Sequence, residues 1–296
     1  MNRRTKNLLL SPGRLLRKYF RILLCGTVLL MTNSFSLAQQ NSPDRPISWN
    51  GVTAHRGFSG KHVENTYPAF QAALEAGVDW LECDIFLTED NQIVVTHDIS
   101  TIRLTGIDAV ITDLNYQQIL QLDTAVDFRK QHNLTIEELP PQRMPLLAEV
   151  LELVIGQSTS RLSIQPKDGS TAAAIALIQT MGAEKWVGFN DGSLDKMKLV
   201  KQLAPTIPVF WDRPSLNDVA DDIRISLENG FESLVYNENS ITSEAIDDVH
   251  AAGLEFGVWT VNDLDSMRRL VNMGVDRVYT NYPDQALKIF ADAYEN

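Results

Sequence analysis

Two histidines, two closely spaced carboxylates and two cations at the ends of β-rich runs are the residues of this chain best suited to chemistry. Glu82 and Asp84 lie inside the apolar run Trp80-Leu81-Glu82-Cys83-Asp84-Ile85-Phe86, and on a strand side chains two apart face the same side. Two anions held together repel unless a cation neutralises them, and a pair of hard oxygen ligands favours Mg2+, Ca2+ or Mn2+ over a soft metal. His55 and Arg56 directly follow the β-rich run 51–54, and His97 closes the run 92–96. Two imidazoles at strand ends beside an acidic pair suit a general acid and a general base. The Arg56 guanidinium can fork onto phosphate oxygens, with Gly57 permitting a tight turn behind it. Lys167, two residues beyond Gln165 on a later run, offers a second cation for the same anion. Trp259, near the end of another run, suits either a core aromatic or the wall of a substrate pocket, which makes it a substrate-binding candidate. His62, His132 and His250 lack such a setting and read as surface or packing residues.

These side chains need elements that bring them to one place. Eight β-rich runs, at 51–54, 80–86, 161–165, 186–189, 208–211, 233–236, 255–260 and 277–280, alternate with amphipathic helical stretches such as 66–76, 171–181, 194–203, 216–229, 243–252, 264–273 and 283–294. That alternation predicts a parallel sheet, and eight such units in about 245 residues predict an α/β fold, a (β/α)8 TIM barrel. An open doubly wound sheet would want a Gly-rich first turn, and Gly57-Phe58-Ser59-Gly60 has the wrong spacing for one. Roughly 98–145 exceeds what the barrel count needs, so it reads as an insertion between the second and third units that caps the active-site face. In such a barrel the reacting groups gather at the carboxyl ends of the strands, where His55, Arg56, His97, Gln165 and Lys167 all fall. Trp211, Asn237, Asn262 and Asn281 occupy similar places later in the chain.

Charge narrows the partners. The 296 residues carry 26 Lys and Arg against 38 Asp and Glu. Seven of those cations, and no acid, lie within 1–38, where a basic stretch leads into the apolar run 22–31 and then Ser36-Leu37-Ala38. This is the pattern of a signal peptide, with an uncleaved anchor as the alternative. The expected organisation is a signal peptide at 1–38, a polar linker at 39–48 and the barrel domain at 49–296, in a protein exported to the periplasm or secreted. Without the leader, 19 cations face 38 acids. Such a surface repels nucleic acid and anionic membranes, so the expected partner is a small molecule, with no nucleic acid and no stable membrane association after signal removal. Of the two cysteines, Cys25 lies in the leader, which leaves Cys83 without an intramolecular disulfide partner.

Taken in order, Ala54-His55-Arg56-Gly57, Glu64-Asn65-Thr66 with Ala69-Phe70, Gly77 through Glu82 to Asp84, and Thr88 to His97-Asp98 resemble the signature of the glycerophosphodiester phosphodiesterases. Arg103-Leu104-Thr105-Gly106, Met144-Pro145-Leu146, Trp259-Thr260-Val261-Asn262 and Thr280-Asn281-Tyr282-Pro283 extend the resemblance along the chain. It implies His55 and His97 as the acid-base pair and Arg56 as a phosphate ligand. One divalent metal, Ca2+ or Mg2+, is implied on Glu82, Asp84 and position 165, with Glu64, Asn65 and Lys167 supporting the metal and phosphate region. The family usually has a glutamate at position 165. Gln165 keeps an oxygen ligand but removes a charge, so weaker or differently selective metal binding is expected. The implied reaction is hydrolysis of glycerophosphodiesters to glycerol 3-phosphate and an alcohol. Two other readings stand beside it. A phospholipase-type enzyme of the same barrel class, acting on lysolipid or lipid, would need an exposed apolar rim that the insertion does not obviously offer. A catalytically weakened phosphodiester-binding protein would follow if Gln165 disables the metal.

Overall fold

The computed structural model describes residues 51–294, except 158, 168 and 240. The expected signal peptide at 1–38 and linker at 39–48 lie outside the described residues. Nine strands form one sheet: β1 (Gly51–Ala54), β2 (Trp80–Leu87), β3 (Ile93–Val95), β4 (Arg161–Pro166), β5 (Val187–Asp191), β6 (Val209–Arg213), β7 (Ser233–Asn237), β8 (Glu255–Trp259) and β9 (Arg277–Thr280). All but β3 run parallel, and β1 pairs with both β9 and β2, which closes the barrel. β3 folds back antiparallel on β2, with Ile85 opposite Val95. This hairpin register returns the chain past Asp84, whose carbonyl accepts the Thr96 N–H at 2.9 Å, and so brings the following His97 close to it.

Alternation along each strand sorts the barrel into an outer apolar layer and a layered interior. Leu81, Cys83 and Ile85 of β2, Leu162 and Ile164 of β4, and Phe256 and Val258 of β8 pack outward in the main core against the helices. Trp80, Phe210, Val235 and Tyr279 pack together inside. Arg277 is fully buried among them, its guanidinium 3.9 Å from the Phe210 ring centroid and 4.7 Å from that of Trp80, and its Nη1 donates to Thr53 Oγ1 at 2.9 Å. A stacked cation and aromatics thus fill the lower barrel. Further along the strands the inward positions turn polar: His55, Glu82, Gln165, Asn190 and Asp212 share one hollow with Trp259.

The expected elements are present with small shifts at their ends; Trp186, for instance, belongs to a 3-10 turn and the strand begins at Val187. The insertion holds short helices at Ile102–Thr105, Tyr116–Ile119 and Val126–His132. The helix Leu147–Ile155, which was not anticipated, belongs to the barrel and buries Leu147, Val150, Leu151 and Val154 on one face.

Candidate active site

The first wall of the site is a strained turn. The His55 N–H still bonds to the β9 side, on Thr280 O at 2.9 Å, and the Gly57 N–H closes back on Ala54 O at 3.1 Å. Arg56 and Gly57 take φ of 57° and 76°, a conformation that costs a non-glycine residue about 1–3 kcal/mol. A Cβ on Gly57 would stand 2.8 Å from the Ala69 carbonyl carbon, so only glycine fits. The turn aims the Arg56 N–H at Glu82 Oε2, 2.9 Å away. The Arg56 Nη1 bonds to Glu64 Oε1 at 3.0 Å, and its Nε lies 3.6 Å from Asp84 Oδ2.

Glu82 and Asp84 are both buried and face the barrel interior. Burial and the neighbouring Asp84 push the Glu82 carboxyl well above the usual range. Burial pushes Asp84 the same way, but Lys167, Arg56 and His97 outweigh it and hold Asp84 ionised below its ordinary value. Lys167 Nζ is 2.9 Å from Asp84 Oδ1, and Asn65 Nδ2 donates to Oδ2 at 3.0 Å. Lys167 also donates to Gln165 Oε1. Among the described residues no three carboxylate, imidazole or thiol groups form a ready metal cage. The oxygen set is instead two buried carboxylates with the Gln165 amide oxygen alongside, which fits a hard cation such as Mg2+ that keeps waters and takes further ligands from a substrate phosphate.

The two histidines reach this region by different routes. His55 Nδ1 donates to Asn281 Oδ1 at 2.7 Å, and the Asn281 N–H is itself held by Asn262 Oδ1 at 2.9 Å. Burial first, and Arg56 second, press the His55 pKa down to about 4, so the ring is neutral at pH 7. His97 Nδ1 donates to Asp98 Oδ1 at 2.6 Å. Asp98 is also bonded by Arg103 Nε at 2.5 Å, and Arg103 grips Glu64 through both of its terminal nitrogens at 2.7 and 2.9 Å. Partial burial raises Asp98, yet the Arg103 and His97 bonds win and keep it below the usual carboxylate range. Asp84 acts electrostatically on both His55 and His97.

Two open cavities meet these groups. One, of about 450 Å3, runs from His55, Arg56 and Glu64 to Asp127, Phe128 and His132 of the insertion. The other, of about 440 Å3, is bounded by His97, Lys167, Phe86, Ile99 and Ile102. The insertion therefore lines the mouth, as expected. His132 is exposed and stacks on Phe128 with ring centroids 3.9 Å apart, in keeping with a surface or packing role, and it borders the first cavity. Other expectations need correction. Trp211 faces the outer layer, 5.9 Å from the Phe231 ring, and its neighbour Asp212 occupies the interior instead. An apolar rim does exist: Ile99 and Ile102 are 44% and 51% exposed beside His97. Trp259 walls the inner hollow. Arg103 and Asp212 escaped the sequence reading as individual site residues. Arg103 stood within a quoted motif, whereas Asp212 carried no signal beyond its place at a strand end.

Comparison with known proteins agrees with this arrangement. Residues 55–285 match the model of the glycerophosphoryl diester phosphodiesterase family. A Bacillus altitudinis glycerophosphodiester phosphodiesterase is 30% identical over 80% of this chain and 97% of its own length. A Mus musculus lysophospholipase D is 24% identical over 90% of this chain and 94% of its own. An Oleispira antarctica phosphodiesterase, solved with the product sn-glycerol-3-phosphate, superposes with a TM-score of 0.69 at 23% identity, covering 83% of this chain and 96% of that one, and shares the fold. The chain belongs to the glycerophosphoryl diester phosphodiesterase family and is a phosphodiester hydrolase.

Proposed function

We propose that the enzyme hydrolyses glycerophosphodiesters to glycerol 3-phosphate and an alcohol, using His55 and His97 as its acid-base pair and a divalent cation, Ca2+ or Mg2+. The observation that carries this reading is the placement of Asp84, ionised and beside Glu82, in the field of both imidazoles and both phosphate-binding cations, Arg56 and Lys167. When bound, the cation would sit against Glu82, Asp84 and Gln165 Oε1 and neutralise charge on the phosphoryl oxygens. Arg56 and Lys167 orient the same oxygens, while Glu64 clamps Arg56 and Arg103 together at the mouth. His55, neutral and with its Nδ1–H committed to Asn281, keeps Nε2 free to take the proton of the attacking hydroxyl. That hydroxyl belongs to water or to the neighbouring glycerol carbon. In the second case the alcohol leaves as a cyclic phosphate forms, and water then opens the cyclic ester to glycerol 3-phosphate. His97, oriented through Nδ1 by Asp98, returns a proton to the departing alcohol oxygen. The Bacillus relative's name and the glycerol 3-phosphate held by the Oleispira relative support the substrate class. Export through the signal peptide, with a small-molecule substrate, no nucleic-acid partner and no stable membrane association afterwards, belongs to the same proposal.

Release of choline from glycerophosphocholine, measured with and without chelator, tests this. Wild type should turn over and lose activity on chelation, and His55→Ala or His97→Ala should each lower kcat by about 10²–10⁴-fold. Full turnover in both variants refutes the assignment, and no release by wild type points to a silent phosphodiester binder.

A second reading, action on lysolipids, is favoured by the exposed Ile99 and Ile102 beside His97 and by the mouse relative named as a lysophospholipase D. Ile99→Ser with Ile102→Ser should then lower turnover of lysophosphatidylcholine and spare glycerophosphocholine; an equal effect on both removes the lysolipid reading.

A further inference from the structure

Arg103 joins two parts of the site that come from separate loops of the barrel. Its Nε donates to Asp98 Oδ2 at 2.5 Å, while Nη1 and Nη2 donate to Glu64 Oε2 and Oε1 at 2.9 and 2.7 Å. Behind Asp98 stands His97, bonded through Nδ1 at 2.6 Å. Behind Glu64 stands Arg56, whose Nη1 donates to the same Oε1 at 3.0 Å. One planar fork thus connects the imidazole read as the acid to the guanidinium read as a phosphate ligand. Arg103 also lines both open cavities.

The backbone that carries this fork is tied down. The helix Ile102–Thr105 is a single turn, too short to hold itself. Thr101 and Thr105 are buried at its two ends. Thr101 Oγ1 donates to Ile107 O at 2.6 Å and Thr105 Oγ1 to Thr101 O at 2.9 Å, while the Thr101 N–H donates to Ala109 O at 2.9 Å. Leu104 is buried beside Thr105, and Gly106 takes a φ of 74° that closes the turn. The run Arg103-Leu104-Thr105-Gly106 therefore has an anchor, an internal bond and a stop, all of which serve to hold one guanidinium in place.

We infer that Arg103 is a positioning residue through which the insertion holds His97, by way of Asp98, and Arg56, by way of Glu64, in one geometry. The inference deepens the proposed function and rests on its reading of His97 as the acid and Arg56 as a phosphate ligand. Losing the fork releases both carboxylates at once. Asp98 then orients the His97 ring without Arg103 behind it, which weakens proton delivery to the departing alcohol. Glu64 no longer has its bidentate partner, so Arg56 is held less firmly and substrate binding weakens whatever the leaving group.

The test compares wild type, His97→Ala, Arg103→Ala and Arg103→Lys on two substrates: glycerophosphocholine and a p-nitrophenyl phosphodiester of glycerol, whose leaving group departs without a proton. Arg103→Ala should lower kcat on glycerophosphocholine by about 10²-fold, recover most of that loss on the p-nitrophenyl ester, and raise KM about tenfold on both. His97→Ala should show the leaving-group dependence without the common rise in KM. Arg103→Lys keeps the charge but offers one nitrogen to two carboxylates, so it should show the Arg103→Ala pattern in weaker form; it carries the test if Arg103→Ala does not fold. A merely structural role would lower activity on both substrates alike. Equal kcat losses on the two substrates, or wild-type kinetics in Arg103→Lys, overturn the inference. Full turnover of glycerophosphocholine by His97→Ala overturns the reading of the acid and the inference with it, whereas an impaired His97→Ala beside an unimpaired Arg103→Ala overturns the inference alone.

Discussion

His55 Nδ1 lies 2.7 Å from the side-chain oxygen of Asn281, a residue 226 positions away that follows the last barrel strand. An amide oxygen only accepts, so the ring proton sits on Nδ1 and Nε2 carries the lone pair. Because burial and Arg56 hold the His55 pKa near 4, activity that depends on the neutral ring should persist well below pH 6. Asn281→Asp puts a carboxylate in place of the amide and favours the charged ring. The acid limb of the kcat/KM profile should then move up by about one to three pH units. A profile identical to wild type would mean that the limb belongs to another group.

The lower barrel gives a stability prediction of the opposite character. Glu255, at the start of β8, is pushed up to about 7 by burial, with Arg277 pulling it back and Asp276 and Glu232 adding to the rise. Its Oε2 is buried without a hydrogen-bond partner. The folded protein therefore keeps a proton that the unfolded chain releases near 4.5, so native stability contributed by this group is complete below that pH. It is lost as pH climbs from about 4.5 to about 7, and changes no further above. Glu255→Gln removes the titration. Its Tm should exceed that of wild type at pH 8 by roughly 2–4 °C, the effect of about 1 kcal/mol in a domain of this size, and the gap should narrow at pH 5. A gap independent of pH sinks this account.

What could be read beforehand divides along physical lines. Glu82 and Asp84 were legible because a period of two inside an apolar run fixes their face without knowledge of any partner. His55 and His97 were legible as strand-end residues. Asp212 was not, since its meaning comes from Gln165 and Asn190 on other strands, 47 and 22 positions away, and the choice between Trp211 and Asp212 turns on a register that one residue reverses. The apolar rim was hidden for a related reason: Ile99 and Ile102 alternate with Ser100, Thr101 and Arg103, and only the fold of the insertion sets them together beside His97. His132 likewise acquires its place from the packing of the helix Val126–His132, not from its neighbours in sequence.

The pairing of His97 with Asp98 gives the sharpest test of which imidazole acts as acid. Asp98 is held ionised by Arg103 and His97, and by accepting the Nδ1 proton it fixes the orientation of the ring. Asp98→Asn keeps the shape, removes the charge, and leaves Arg103 still bound to Glu64 through its other nitrogens. The expected result is a fall in kcat of about 10²-fold or more on glycerophosphocholine with little change in KM, since the loss is in proton transfer to the departing choline oxygen. A p-nitrophenyl phosphodiester of glycerol, whose leaving group departs without a proton, should recover most of that loss. If the variant is impaired equally on both substrates, His97 does not protonate the leaving group, and the roles of the two histidines must be exchanged.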